Sequence, residues 1–308
     1  MKGLELAESY YLAYGFPMLR EKFTPYVDRI AAGLVGDGSE CLGFDDEISQ
    51  DHDWGPGFCL WLIEEDFQAI GTALNDALSK LPQTFGGYGP RRTSEWGAGR
   101  VGAFEIPRFY SNFIGINSIP ADLNQWLFIS EDCLSACTNG KVFHDPLGEF
   151  TRWRDALLAF YPEDVRLKKM ASRCMTIAQS GQYNFKRCIQ RKEYFTAQYA
   201  ETKFCADVIS LVFLLNKKYT PFYKWMHRAL RDLPLLGELI HVRITNLVIS
   251  SDYEEKINLI EEICAKIIDE LRNQGLSEAN SSFLLDHGPQ IQSKIKDKQL
   301  RERNVWVG

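Results

Sequence analysis

Apolar residues recur at helical spacing over residues 4–14 and 16–32, with Pro17 near the start of the second segment, where a missing amide hydrogen costs little. Two helices are therefore predicted ahead of the first strand. That strand is short and apolar, about Ala31 to Val35, and ends at Gly36-Asp37-Gly38-Ser39, whose glycines permit a tight turn. A second strand is predicted from about Asp51 to Leu62, interrupted by Gly55-Pro56-Gly57. Residues 64–80 read as an amphipathic helix that opens on Glu64, Glu65 and Asp66 and closes on Lys80, the charge order a helix dipole favours. The turn-rich run Phe85 to Arg92 reads as a mobile loop, and Arg100 to Ile106 as a further strand.

Beyond about residue 148 the period changes. Segments 148–160, 162–180, 187–216, 220–232, 235–249 and 252–273 all favour helix, punctuated by Pro162, the Tyr219-Thr220-Pro221 turn and Pro234. The pattern predicts an α+β protein: a small mixed-sheet domain over 1–147 followed by an α-helical bundle over 148–308. There is no internal repeat, and the polar tail after about 287 is expected to fray.

Composition supports a globular chain. With 308 residues, 45% of them hydrophobic, there is material for two buried cores, and disorder is excluded. The formal net charge of −6 hides an asymmetry: residues 1–150 carry 10 basic and 22 acidic side chains, a net of −12, and the remainder 25 and 19, a net of +6. Such a split suggests different ligand chemistry in the two halves. An acidic balance without a long Lys/Arg run makes nucleic acid an unlikely partner. Acids interrupt the first eight residues and no stretch approaches 18 uninterrupted apolar residues, so neither a signal peptide nor a membrane span is expected. The eight scattered cysteines, with no CxxC pair, read as reduced thiols mostly packed in the core of a cytoplasmic protein.

The chemistry concentrates in one stretch. Between Ile30 and Ser79 there are eleven acids and no Lys or Arg, and seven of the acids fall within Asp37 to Asp53. Unneutralised carboxylates repel, so a folded domain tolerates them in solvent or around a cation. A solvated acidic loop is the plain reading. Alternation in Asp51-His52-Asp53, however, would put both carboxylates on one face of a strand, where they could share one or two divalent ions.

Gly38-Ser39 followed after eleven residues by Asp51-His52-Asp53-Trp54 resembles the signature of the nucleotidyltransferase superfamily. The resemblance implies that the Gly38-Ser39 turn holds nucleotide phosphates and that Asp51 and Asp53 bind Mg²⁺. A third acid on a later strand would complete the site, with Glu105 in Phe104-Glu105-Ile106 the best fit. A longer resemblance, to the DUF4037 domain family, rests on Gly38 to Ser49, Asp51 to Gly57, Val142 to Gly148, Tyr161 to Val165 and Tyr219 to Trp225, and spans roughly residues 30–230. The layout is also similar to that of aminoglycoside nucleotidyltransferases, without a segment identifiable as their drug pocket.

These resemblances imply an enzyme that moves a nucleoside monophosphate from a nucleoside triphosphate to a hydroxyl of a small molecule, with two Mg²⁺ ions as cofactors. The alternatives are a nucleotide-binding regulator without turnover, or a protein or RNA acceptor. A triphosphate carries about four negative charges, which calls for cations from the basic half. Lys218, Lys224 and Arg187 are the candidates, with Lys217 and Arg191 beside them. Asp145 or Glu149 could act as general base, although Asp145 could equally cap a following helix. His52 is expected to face away from the metal in a core or supporting role, and His144 is a weaker acid-base candidate. Trp54, Trp96 and Tyr88 could stack on a base, though most aromatics must serve packing. On this reading the acidic half would offer the metal wall of a cleft and the basic half the phosphate wall.

Overall fold

A computed structural model of the chain describes residues 1–308 except Thr93, Ala98 and the side chain of Trp96. The fold is α+β and divides into two compact units, one of Met1–Ile119 with Cys133–Ala159, the other of Pro120–Asp132 with Phe160–Gly308.

In the first unit the N-terminal segments Gly3–Tyr10, Tyr11–Gly15 and Phe16–Lys22 run on as consecutive helical turns. The helix expected to reach residue 32 stops at Lys22. Pro25 follows in a 3-10 turn, Thr24–Arg29, that feeds the first strand. Four strands, β1 (Ala31–Leu34), β2 (Cys59–Leu62), β3 (Gly102–Glu105) and β4 (Lys141–His144), form one sheet in the order β3-β2-β1-β4. β1 is antiparallel to β2 and to β4, whereas β2 and β3 are parallel. β4 and the helices Ile106–Ile114, Leu123–Phe128 and Glu131–Thr138 were not expected from the pattern.

Alternation on β2 sets the packing. Leu60 and Leu62 join Tyr10, Tyr11, Met18, Leu19 and Leu74 in the core on one face. On the other face Trp61 stacks on Phe150 at a centroid distance of 3.8 Å. Gly33 on β1 makes that arrangement possible, because a Cβ there would lie 2.5 Å from the Lys141 carbonyl oxygen and 2.9 Å from the Trp61 ring. Trp61, Phe150, Tyr110 and Leu60 are all buried, so the sheet is covered on both faces.

The strand expected over 51–62 is shorter, Cys59–Leu62. Pro56 has no amide for the ladder, Gly55 has φ +134°, and Asp53 itself has φ +51°, so the backbone upstream of Phe58 is a loop. Asp51 and Asp53 therefore do not sit on one face of a strand.

The second unit is helical throughout its described secondary structure. Glu163–Ile177 continues through the π-helical turns Ala178–Phe185 into Lys186–Gln190. A break at Lys192, φ +62°, separates these from Tyr194–Leu215, dividing the helix expected over 187–216. Tyr223–Leu230, Gly237–Ile249 and Tyr253–Asn273 follow. The tail does not fray: it forms His287–Ser293 and Lys298–Glu302 and buries Ile291, Ile295 and Leu300. Lys168 Nζ donates to Gln292 Oε1 at 2.6 Å and to the Asn304 carbonyl at 2.7 Å, tying the tail to the Glu163–Ile177 helix.

Candidate active site

The strand directions decide which acids can meet. Gly33 pairs with Cys59, so the turn leaving β1 and the loop entering β2 lie at the same end of the sheet. Gly36–Ser39 and Asp53 belong to this turn end, as does Asn139, which exchanges hydrogen bonds with both backbone groups of Gly36 at 3.0 and 2.8 Å. β3 is parallel to β2 with Leu62 opposite Glu105, which places Glu105 at the opposite end. β4 is antiparallel to β1 with His144 opposite Ala32, so Asp145 also leaves the sheet at that opposite end. Of the four expected catalytic acids, two are at the turn end and two are not.

Asp53 is the most elaborately held. Its side chain is buried, and Ser94 donates its amide to Oδ1 at 2.8 Å and its hydroxyl to Oδ2 at 2.6 Å. Arg100 Nη1 stands 3.4 Å from Oδ2. Burial by itself would raise the Asp53 pKa, but the Ser94 hydrogen bonds and Arg100 outweigh it and hold the group below the usual aspartate range. Asp53 is ionised in the fold. Asp51, by contrast, is exposed, and its Oδ1 lies 2.6 Å from His52 Nδ1. His52 is thus a solvent-facing partner of Asp51, not the core or supporting residue that strand alternation implied.

Two of the surrounding acids, Glu40 and Asp45, are held locally. Glu40 is buried, with Arg91 Nη2 2.7 Å from its Oε1. Its carboxylate packs against the turn, since a Cβ on Gly38 would fall 2.5 Å from Glu40 Oε2. Gly38, at φ +128°, leaves room for that contact. Ser39 is buried and opens the short turn Glu40–Leu42. Asp45 accepts the Gly3 amide at 2.8 Å and Trp54 Nε1 at 3.2 Å. Trp54 is buried and meets Tyr88 edge to face at 5.0 Å, so both aromatics serve packing. The side chain of Trp96 lies outside the described residues.

Beside Arg154, whose Nη2 donates to the Asn139 carbonyl at 3.1 Å, this end carries Arg91 and Arg100, which sequence reasoning passed over. Their signal was available: after the stretch without Lys or Arg that ends at Ser79, the next basic residues are Lys80, Arg91, Arg92 and Arg100. Lys218, Lys224 and Arg187 are exposed and belong to the second unit. Lys224 Nζ lies 5.1 Å from the Trp225 ring, and Arg187 donates to Tyr183 Oη at 2.9 Å. Asp145 Oδ2 accepts the Thr151 amide at 2.7 Å, one of the amides left free in the first turn of the helix Glu149–Leu158, whose N-cap position is Gly148. Glu149 is paired with Arg152 at 2.6 Å, which lowers its pKa.

Among the described residues no group of three or more His, Cys, Asp or Glu side chains is arranged to hold a metal ion. Asp51, Asp53 and Glu105 are therefore not a ready-made cluster. Magnesium, however, is commonly held by one or two carboxylates together with substrate phosphates. Asp51 and Asp53 are hard oxygen donors two residues apart, Asp51 open to solvent beside His52 and Asp53 with both oxygens held by Ser94 and Arg100.

All eight cysteines are free and six are buried. Among the described residues no helix is long and apolar enough to cross a membrane.

Residues 126–226 match the family described as Domain of unknown function (DUF4037). The match includes the Val142–Gly148, Tyr161–Val165 and Tyr219–Trp225 stretches and does not reach Gly38 to Gly57. The chain matches no curated protein. Among solved structures it is similar to a nucleotidyltransferase-like protein from Exiguobacterium sibiricum 255-15, at 14% identity over 85% of this chain and 76% of that one, with a TM-score of 0.38.

Proposed function

With residues 126–226 matching DUF4037, we propose that the protein is a magnesium-dependent nucleotidyltransferase that transfers a nucleoside monophosphate to a hydroxyl of a small molecule. The observation that carries this reading is the antiparallel β1–β2 pairing, which brings the Gly38-Ser39 turn and the Asp51–Asp53 loop to one end of the sheet. Asp51 and Asp53 would hold the metal, which supplies charge neutralisation at the α-phosphate and the departing pyrophosphate. Gly38 and Ser39 would contact the terminal phosphates. Arg100 and Arg91, paired with Asp53 and Glu40, lie at the same end and would turn toward the phosphates when the metal takes over the carboxylate charge. In the reaction the acceptor oxygen bonds to the α-phosphorus and loses its proton to water, the α–β bridging bond breaks, and pyrophosphate leaves with the electron pair. Glu105 and Asp145, at the opposite end of the sheet, have no part in it.

The test is pyrophosphate release from ATP, GTP, CTP and UTP with Mg²⁺ across a panel of hydroxyl-bearing small molecules. Release that disappears in Asp53→Asn, with the circular dichroism spectrum unchanged, supports the proposal. Undiminished release in both Asp51→Asn and Asp53→Asn refutes it.

One observation favours a second reading, a nucleotide-binding regulator without turnover. Both Asp53 oxygens are already engaged, by Ser94 and Arg100, as a carboxylate dedicated to structure would be. Calorimetry separates the two: nucleotide binding with no release against any acceptor selects the regulator.

A further inference from the structure

The second unit contains a cavity of about 510 Å³. Apart from Gly308, all its lining residues fall within the DUF4037 match. Its floor is polar and largely self-satisfied. Glu131 is buried, and its carboxylate accepts from Ser210 Oγ at 3.0 Å, from Thr220 Oγ1 at 2.6 Å and from Arg173 Nη2 at 3.3 Å. Arg173 also donates from Nε to Ser210 Oγ at 2.9 Å and from Nη1 to the Gly308 carbonyl at 3.2 Å. Asp207 lies 3.1 Å from Lys203 Nζ and 4.0 Å from Arg173, while Asp132 takes a hydrogen bond from Ser130.

Lys169 is the exception. It lines the cavity and is 4% exposed. Among the described residues its ammonium has no hydrogen-bond or ion-pair partner, only the face of Tyr161 at 5.0 Å. A buried ammonium without a hydrogen bond or ion pair is costly, and Glu131, the nearby carboxylate, is already taken up by Ser210, Thr220 and Arg173. Burial lowers the Lys169 pKa to about 8, with Glu131 opposing and Arg173 adding to the shift. The walls are apolar, from Leu127, Ile129 and Met226, and Phe128, Phe222 and Tyr223 are exposed among the lining residues.

We propose that this cavity binds a small organic anion, a carboxylate or a phosphate monoester on an apolar body, with Lys169 meeting the negative charge. A single uncommitted cation matches one anionic group and not the four charges of a triphosphate, so this is a different ligand from the nucleotide. The proposal stands apart from the reading of Asp51 and Asp53: Asp53→Asn leaves anion binding unchanged, and Lys169→Met leaves nucleotide binding in place.

The experiment is calorimetric titration of the full chain at neutral pH with benzoate, phenyl phosphate and, as a control of opposite charge, benzylamine. At least one of the two anions binds, and their ranking tells carboxylate from phosphate. Lys169→Met weakens that binding about tenfold or more, as loss of a charged hydrogen-bond donor does, and Lys169→Arg restores most of it. Ala206→Leu, which fills the lining without touching a charge, weakens it as well. If Lys169→Met fails to fold, Lys169→Arg and Ala206→Leu decide by the same criteria. Failure of both anions to bind at millimolar concentration, equal binding of benzylamine, or undiminished anion binding in Lys169→Met overturns the proposal.

Discussion

Asp53 in the first unit and Glu131 in the second are both buried carboxylates, each beside a serine and an arginine, yet they are held in opposite ways. Glu131 begins a helix and is enclosed by Ser210 and Arg173 from two other helices and by Thr220. Asp53 sits on a loop at φ +51°, with its donors on another loop and with exposed Asp51 two residues away. Enclosure by helices makes a carboxylate structural. Asp53, on a loop at a sheet end beside an exposed carboxylate, is held by loop residues instead.

The largest effect that would sharpen this contrast is on stability. Glu131→Ala strands Arg173, Ser210 and Thr220 and is expected to cost about 3–5 kcal/mol in urea denaturation. A loss below about 1 kcal/mol would break the comparison. Next comes Asp53→Asn, for which pyrophosphate release should fall by about 100-fold or more, since electrostatic groups at a reacting phosphate carry effects of that order.

Alkaline pH should separate the units further. Buried Cys41, Cys59 and Cys137 in the first unit and Cys174, Cys205 and Cys264 in the second all have raised pKa values, chiefly through burial. The stability they contribute is full below the unfolded thiol pKa and is lost as pH rises toward the folded one, at about 1.4 kcal/mol per pH unit for each fully titrating group. Lys168 and Lys169, both lowered to about 8, exist only in the second unit and act the other way. Their cost is full below pH 8 and is relieved as pH rises toward 10.5. Hydrogen exchange followed from pH 8 to 10, after correction for intrinsic rates, should therefore show protection falling faster in the first unit. Equal losses would mean that the lysines are not held as described. The smallest effect is that of Asp51→Asn on stability, within about 0.5 kcal/mol, as for an exposed side chain.

Much of the scaffold was legible from pattern. The apolar run at Ala31 to Leu34, the acid-first helix Glu64–Ser79 and the strand ending at Glu105 all stand where periodicity put them. The misreadings have physical causes. Alternation at Asp51 to Asp53 resembled a strand, but Pro56 and the left-handed Asp53 made it a loop. Glu105 had the right flanking residues, yet which end of a sheet a residue occupies depends on strand direction, which a local triplet does not encode. The tail looked too polar to pack, yet Ile291, Ile295 and Leu300 suffice to anchor it. Glu131 and Lys169 carry no local signal, because the environment of Glu131 comes from residues up to 89 positions away. Arg91 and Arg100 were passed over because charge was summed over halves, and summation discards the local pairing of Arg91 with Glu40.

The central claim is that nucleotide chemistry belongs to the turn end of the sheet, and binding of a non-hydrolysable triphosphate with and without Mg²⁺ tests it most directly. Two double variants are compared with the wild type: Asp51→Asn with Asp53→Asn at the turn end, and Glu105→Gln with Asp145→Asn at the opposite end. The account predicts that the gain in affinity conferred by Mg²⁺ vanishes in the first and persists in the second. A gain that survives loss of Asp51 and Asp53 and disappears with Glu105 and Asp145 would contradict it.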